Sequence, residues 1–230
     1  MARPYIRRVL KRAGVPSPAH PGEERDAARR IPLPRIFLPG EPEDAGPVDF
    51  AALFGREAPV ELEIGTGKGR FLIESGVARP GTNWLGLELE EGYAALARLR
   101  AARRGLPNVR VERLDGREFV IRRVPPGSLA ALHVYFPDPW PKKRHHKRRL
   151  FTPEFASAAA RALTPGGLLR VASDHRDYWE VIEDVLGAEP LLARLSGEEA
   201  GFWSSGTSYE LKFAASGRPV FKAVFRRRGG

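Results

Sequence analysis

The chain has 230 residues, 42% of them hydrophobic, which suits one sizeable domain with an appendage. A net charge of +10 and a pI near 10.4 point to an anionic partner, either nucleic acid or a membrane surface. Without Cys there are no disulfides, thiolate metal sites or cysteine nucleophile; no apolar run nears the ~18 residues of a membrane span, and the Arg-rich N-terminus lacks the apolar stretch of a secretory signal. A cytoplasmic protein is therefore expected. The five His show no metal-ligand spacing, so no metal is expected either.

Residues 1–45 are basic and Pro-rich. Arg7, Arg8, Lys11 and Arg12 cluster early, and Pro16, Pro18, Pro21, Pro32, Pro34 and Pro39 bar long helices. A partly disordered arm is expected, either adding phosphate contacts or only solubilising the chain. The remainder, 46–230, reads as one domain in which strands alternate with helices. Val60–Ile64 is a strand ending in Gly65-Thr66-Gly67-Lys68-Gly69, and Arg70–Ala78 a helix. A second strand spans 84–88; an amphipathic helix spans 91–104 and stops at Gly105 and Pro107. Residues 109–114 alternate as a third strand ahead of Asp115, and a short helix follows, closed by Pro125-Pro126-Gly127. A fourth strand spans 129–136. Thr152-Pro153-Glu154 starts a helix with a cap, a first-turn proline and an early acid. That helix ends before Pro165-Gly166-Gly167; a fifth strand, 168–172, leads to Asp174, and 176–186 is a helix. The apolar runs 209–213 and 220–225 have the separation of an antiparallel hairpin.

This order predicts an α/β, doubly wound, mostly parallel sheet with a C-terminal antiparallel hairpin. Ligands of such sheets bind outside the carboxyl ends of the strands, near the topological switch point. The acids fall there: Glu63 and Glu88 end the first two strands, and Asp115, Asp138 and Asp174 follow the next three. Carboxylates gathered at one sheet edge repel each other unless a cationic ligand or nearby Lys and Arg side chains relieve them.

The densest chemistry lies between residues 133 and 149. The apolar strand His133-Val134-Tyr135-Phe136 breaks at Pro137-Asp138-Pro139-Trp140-Pro141, which presents a single carboxylate on a stiff turn. Lys142-Lys143-Arg144-His145-His146-Lys147-Arg148-Arg149 follows at once, with no uncharged residue except the two His. An acidic turn at a strand's end beside dense positive charge suggests chemistry next to a polyanion.

The glycine loop is informative by what it lacks. A dinucleotide fingerprint needs glycine where Arg70 stands, and a P-loop needs Gly-Lys-Ser/Thr. Glu63-Ile64-Gly65-Thr66-Gly67-Lys68-Gly69 instead resembles the Glu-x-Gly-x-Gly-x-Gly loop of class I S-adenosylmethionine-dependent methyltransferases, with Glu88 in register to accept hydrogen bonds from ribose hydroxyls. Together with Leu85-Gly86-Leu87-Glu88, Phe136-Pro137-Asp138-Pro139-Trp140, Ala172-Ser173-Asp174 and Thr207-Ser208-Tyr209-Glu210, it makes the sequence resemble the bacterial tRNA (guanine-N7)-methyltransferase family.

The resemblance implies a Rossmann-like class I methyltransferase sheet and S-adenosylmethionine as methyl donor. It implies that Glu63, Gly65, Gly67, Glu88, Asp115 and Asp138 bind the cofactor, and that Asp138 is the active-site residue. It places Lys142, Asp174, Thr207, Ser208, Tyr209 and Glu210 on the tRNA substrate. The implied reaction is methylation of guanosine N7 in the tRNA variable loop, typically tRNA position 46. No membrane or obligate protein partner is expected, and the chain is expected to be a monomer or homodimer. The chain departs from the family in having Ser208 where Lys is common, and residues 1–45 match no family motif. Two other readings stand beside this one: a methyltransferase acting on an exocyclic amine, and an inactive RNA-binding module on the same fold.

Overall fold

The computed structural model describes residues 46–200, 207, 210 and 215–229. The expected arm, 1–45, and two of the expected substrate residues, Ser208 and Tyr209, lie outside these residues. The elements in chain order are α1 (Phe50–Phe54), β1 (Val60–Ile64), α2 (Arg70–Ala78), β2 (Asn83–Leu87), α3 (Glu91–Arg103), β3 (Val109–Glu112) and α4 (Gly116–Arg122). There follow β4 (Leu129–Tyr135), a 3-10 turn (Lys143–Arg148), α5 (Pro153–Ala162), β5 (Leu163–Ser173), α6 (Arg176–Gly187), β6 (Leu192–Arg194), α7 (Gly197–Ala200) and β7 (Phe221–Arg227).

The strands form one sheet in the order β3-β2-β1-β4-β5-β7-β6. The β1–β5 ladders are parallel, and β7 runs antiparallel to both neighbours. The expected fold class is therefore present: a doubly wound, mostly parallel sheet with an antiparallel edge. β7 pairs with β5 and with β6, an element not expected from sequence. Of the run 209–213 proposed as the other hairpin strand, Glu210 is helical and the rest lies outside the described residues. The Thr207 side-chain oxygen accepts the Glu210 N–H at 3.1 Å, which is the Thr-x-x-Glu spacing of a helix start rather than a strand. The Pro165-Gly166-Gly167 stretch, expected as a loop, is taken into β5: Leu163 pairs with Leu129, and the ladder resumes at Leu168 opposite Ala131 after a register shift.

Alternation along the strands loads both faces. Leu62, Leu85 and Leu87 join the core packed by α1, α5 and α6, while Trp84, Val109 and Val111 pack with Leu72 of α2 and Ala94, Ala97 and Ala101 of α3. Gly86 allows α2 to close on the sheet, since a Cβ there would lie 2.6 Å from the Leu72 side chain and 2.9 Å from Thr66 Oγ1.

On one sheet face the β1 and β4 residues are polar. Tyr135 Oη lies 2.8 Å from His133 Nδ1, His133 Nε2 lies 2.8 Å from Glu61 Oε2, and Arg79 forks onto both Glu61 oxygens. Burial pushes His133 down, outweighing Glu61, so the ring is neutral and bonds Glu61 through its N–H. Burial works to raise the Glu61 carboxyl, but the bonds from His133 and Arg79 prevail and hold it below its ordinary 4.5. A depressed carboxyl stabilises the fold above 4.5 and loses that contribution as pH falls through its folded value. Glu61→Gln is therefore expected to cost about 1.5–3 kcal/mol in urea unfolding at neutral pH. The deficit should vanish in acid, and one that persists there would assign the loss to packing instead.

Candidate active site

Parallel pairing brings the carboxyl ends of β1, β2, β3, β4 and β5 to one edge, and the β1–β4 contact is the switch point where the strand order reverses. Glu63 lies on β1 opposite Gly86 on one side and His133 on the other. It is 3% exposed. Burial, with the neighbouring Glu88 charge adding to it, pushes the Glu63 carboxyl up to about 8, against a hydrogen bond donated by the Thr66 hydroxyl.

The glycine loop turns over the end of β2. Gly65 N and Thr66 N donate to Leu87 O at 2.8 and 3.1 Å, and Gly65, Gly67 and Gly69 take φ of 75°, 53° and 72°, a region glycine enters without strain. One Glu88 oxygen accepts Gly67 N at 2.8 Å and the other accepts Glu90 N at 2.9 Å. Glu88 thus ties the loop to the strand that carries it, a function the sequence did not indicate. Asp115 caps α4, one oxygen accepting Arg117 N at 2.8 Å and Glu118 N at 3.3 Å. Glu112, at the end of β3, is a further buried acid, raised by burial to about 7 despite Arg98 and Arg110.

Across the switch point, β4 ends in a strained turn. Phe136 and Trp140 have φ of 55° and 43°, the two non-glycine residues in the left-handed region among those described. Such conformations cost about 1–3 kcal/mol each and persist only where the surroundings enforce them. They flank Asp138, whose exposed carboxylate takes no hydrogen bond or ion pair among the described residues. Trp140 is half-buried, with the Arg148 guanidinium 4.9 Å from its ring centre and the His145 ring edge-on at 5.8 Å.

The expected substrate residues divide. Lys142 is exposed at the start of the basic turn. Asp174, after β5, pairs with Arg218 at 2.7 Å, and Glu210 pairs with Lys222 of β7. Buried Tyr135 lies within electrostatic reach of both Glu63 and Glu210. Of the basic block, Lys142, Lys143, Arg144, Lys147 and Arg148 are exposed, whereas Arg149 is buried, its Nε donating to Pro139 O at 2.9 Å. Burial thus sets Arg149 apart from the five exposed cations of the run. Arg149, Arg218 and Lys222 were missed as individual contacts because only pairing and packing distinguish them from other cations. The Thr-x-x-Glu spacing is the one signal that would have revealed the helix start at Thr207.

Among the described residues no group of three or more His, Cys, Asp and Glu is arranged to hold a metal ion, and no helix is long and apolar enough to cross a membrane.

Residues 57–223 match the family model described as "Putative methyltransferase". The chain is 40% identical over 206 residues to the tRNA (guanine-N(7)-)-methyltransferase of Bordetella pertussis, covering 89% of this chain and 80% of that one. It is 38% identical over 205 residues to the protein of the same name from Geobacter metallireducens, covering 86% and 96%. Among solved structures, TrmN from Thermus thermophilus superposes with a TM-score of 0.53 at 19% identity, covering 77% of this chain and 46% of that chain. The 16S rRNA methyltransferase KamB superposes with a TM-score of 0.52 at 19% identity, covering 78% and 93%. These two likenesses speak to the fold, and the two curated relatives speak to the family. The chain belongs to the tRNA (guanine-N(7)-)-methyltransferase family.

Proposed function

We propose that the protein transfers the methyl group of S-adenosylmethionine to N7 of a guanosine in the variable loop of tRNA. One observation carries the reading: the buried Glu63, the glycine loop, the exposed Asp138 and the exposed basic turn share one sheet edge, on the two sides of the switch point.

The residues suit the cofactor. A buried carboxyl with a like-charged neighbour fits an amino cation, which would relieve both burial and repulsion at Glu63. Gly65 and Gly67 leave room for close approach to the loop backbone, with nothing within 4 Å of a Cβ at either position. Glu88 retains lone pairs for ribose hydroxyls beyond the two amides it accepts, and one oxygen of Asp115 remains beyond its capping bonds. The cofactor supplies an electrophilic methyl group on a sulfonium.

Guanine N7 carries a free lone pair at neutral pH, so no general base is needed. The residues of this chain therefore act by placement, which can lower a barrier by about 7–11 kcal/mol. Asp138 serves this placement in one of two ways: it accepts the guanine N1–H and exocyclic amino hydrogens, or it orients the cofactor. Paired guanines in A-form RNA bury N7 in a deep, narrow groove, so a splayed loop base is the accessible substrate. The exposed cations of the 3-10 turn hold phosphates, giving affinity without sequence information.

Labelled S-adenosylmethionine and unmodified tRNA transcripts test the reaction, with borohydride–aniline cleavage mapping N7-methylguanosine. Cleavage at one variable-loop guanosine is expected. Incorporation without cleavage would move the target to another atom, and tight binding without incorporation would favour an RNA-binding module. A separate expectation concerns the turn. Changing Lys142, Lys143, Arg144, Lys147 and Arg148 to Ala together should weaken tRNA binding. It should also flatten the salt dependence by about 0.7–0.9 log units per lost phosphate contact. An unchanged slope would make the turn a solvated loop.

A further inference from the structure

We infer that Arg149 is a positioning residue for the Asp138 turn and not a phosphate ligand, an inference that rests on the reading of Asp138 above. Pro137, Pro139 and Pro141 have no N–H, so between residues 137 and 141 only Asp138 and Trp140 can donate from the backbone. A turn so short of donors cannot hold itself by its own hydrogen bonds. It is bounded by residues in strained conformations, so neighbouring groups must hold it in place.

At one end, Phe136 N donates to Ala172 O of β5 at 2.8 Å. At the other, Arg149 Nε donates to the carbonyl of Pro139, the residue after Asp138, at 2.9 Å. Arg149 is itself immobilised. It is 8% exposed, and its guanidinium carbon lies 4.8 Å from the ring centre of fully buried Tyr178. Tyr178 in turn accepts Phe151 N at 3.3 Å through its hydroxyl. The Tyr178 hydroxyl lies within electrostatic reach of both Arg149 and Asp138. The five exposed cations of the turn face solvent where a phosphate can reach them; Arg149 is turned inward, against the backbone of the turn. The last residue of the basic run thus couples the RNA-facing 3-10 turn to the carboxylate at the switch point.

The test compares Arg149→Met and Arg149→Lys with Lys147→Ala and Asp138→Ala in the full chain. For each, kcat is measured per cofactor-binding site, along with tRNA Kd, its salt dependence and the Tm. Arg149→Met is expected to lower kcat about tenfold or more, with tRNA Kd and salt slope within about twofold of the parent protein. Arg149→Lys keeps the charge but loses the planar Nε donor, and should also lose turnover at an unchanged slope. Lys147→Ala should show the flattened slope of a phosphate ligand. An Arg149→Met slope flattened like that of Lys147→Ala would overturn the inference. So would a kcat loss that merely tracks lost cofactor-binding sites, or normal turnover in Arg149→Met while Asp138→Ala is inactive. Normal turnover in Asp138→Ala itself would instead remove the reading beneath it.

Discussion

Asp138→Ala is expected to lose about 100-fold or more in turnover while tRNA affinity stays within a few-fold of the parent protein. The expectation follows from where the carboxylate stands. It is exposed, carries no protein partner among the described residues, and is presented by two residues in left-handed conformations. A side chain bonded to nothing contributes little to folding, so its removal should leave Tm nearly unchanged. The cost of the turn's strain is then repaid in placement of the reacting base. Cofactor affinity decides which side of the reaction Asp138 serves. An unchanged cofactor Kd puts it on guanine, and a loosened one puts it on the cofactor. Turnover near the parent value would remove its role altogether.

Glu63→Gln is expected to act in opposite directions on stability and binding. The folded carboxyl titrates at about 8 against an ordinary 4.5, so the folded state binds the extra proton between these values. A raised pKa means that stability is fully present below 4.5 and is lost as pH rises through about 8. Gln mimics the neutral acid and cannot ionise. The cofactor-free variant should therefore match the parent in Tm near pH 5 and exceed it increasingly toward alkaline pH. Glu112, raised to about 7, leaves a smaller slope of the same sign in both proteins. Cofactor affinity should move the other way. Losing a charged acceptor for the amino cation costs roughly 1.5–3 kcal/mol, about 10–100-fold in Kd. In the parent protein the bound cation favours the carboxylate, so cofactor affinity should climb with pH up to about 8 and release a proton on binding below that. Calorimetry in buffers of different ionisation enthalpy measures that proton. A parent-like cofactor Kd in Glu63→Gln would take Glu63 out of the cofactor site.

Much of this site was legible because strand ends are legible. Alternating apolar runs locate β1–β5, a parallel sheet puts their carboxyl ends together, and the acids that follow each strand must then share an edge. The boundaries shifted by a residue or two, except where a local rule misled. Pro165-Gly166-Gly167 looks like a loop, yet pairing of Leu163 with Leu129 carries β5 through it. The run 209–213 has a strand's composition, yet Thr207 caps Glu210 into a helix start.

From the residue order alone came the parallel sheet, the glycine loop, the acidic edge and the polyanion-facing charge, because each rests on local spacing or on composition. Only the tertiary structure decided what each charge touches. It separated Arg149, buried against Tyr178 and Pro139, from its exposed neighbour Arg148. It gave Glu210 to Lys222 and Asp174 to Arg218. It left Asp138 unpaired among the described residues, and buried Glu63 deeply enough to hold a proton near neutrality. The reason is physical: the cost of a charge depends on the solvent and partners that remain around it after folding, and both come from residues distant in sequence.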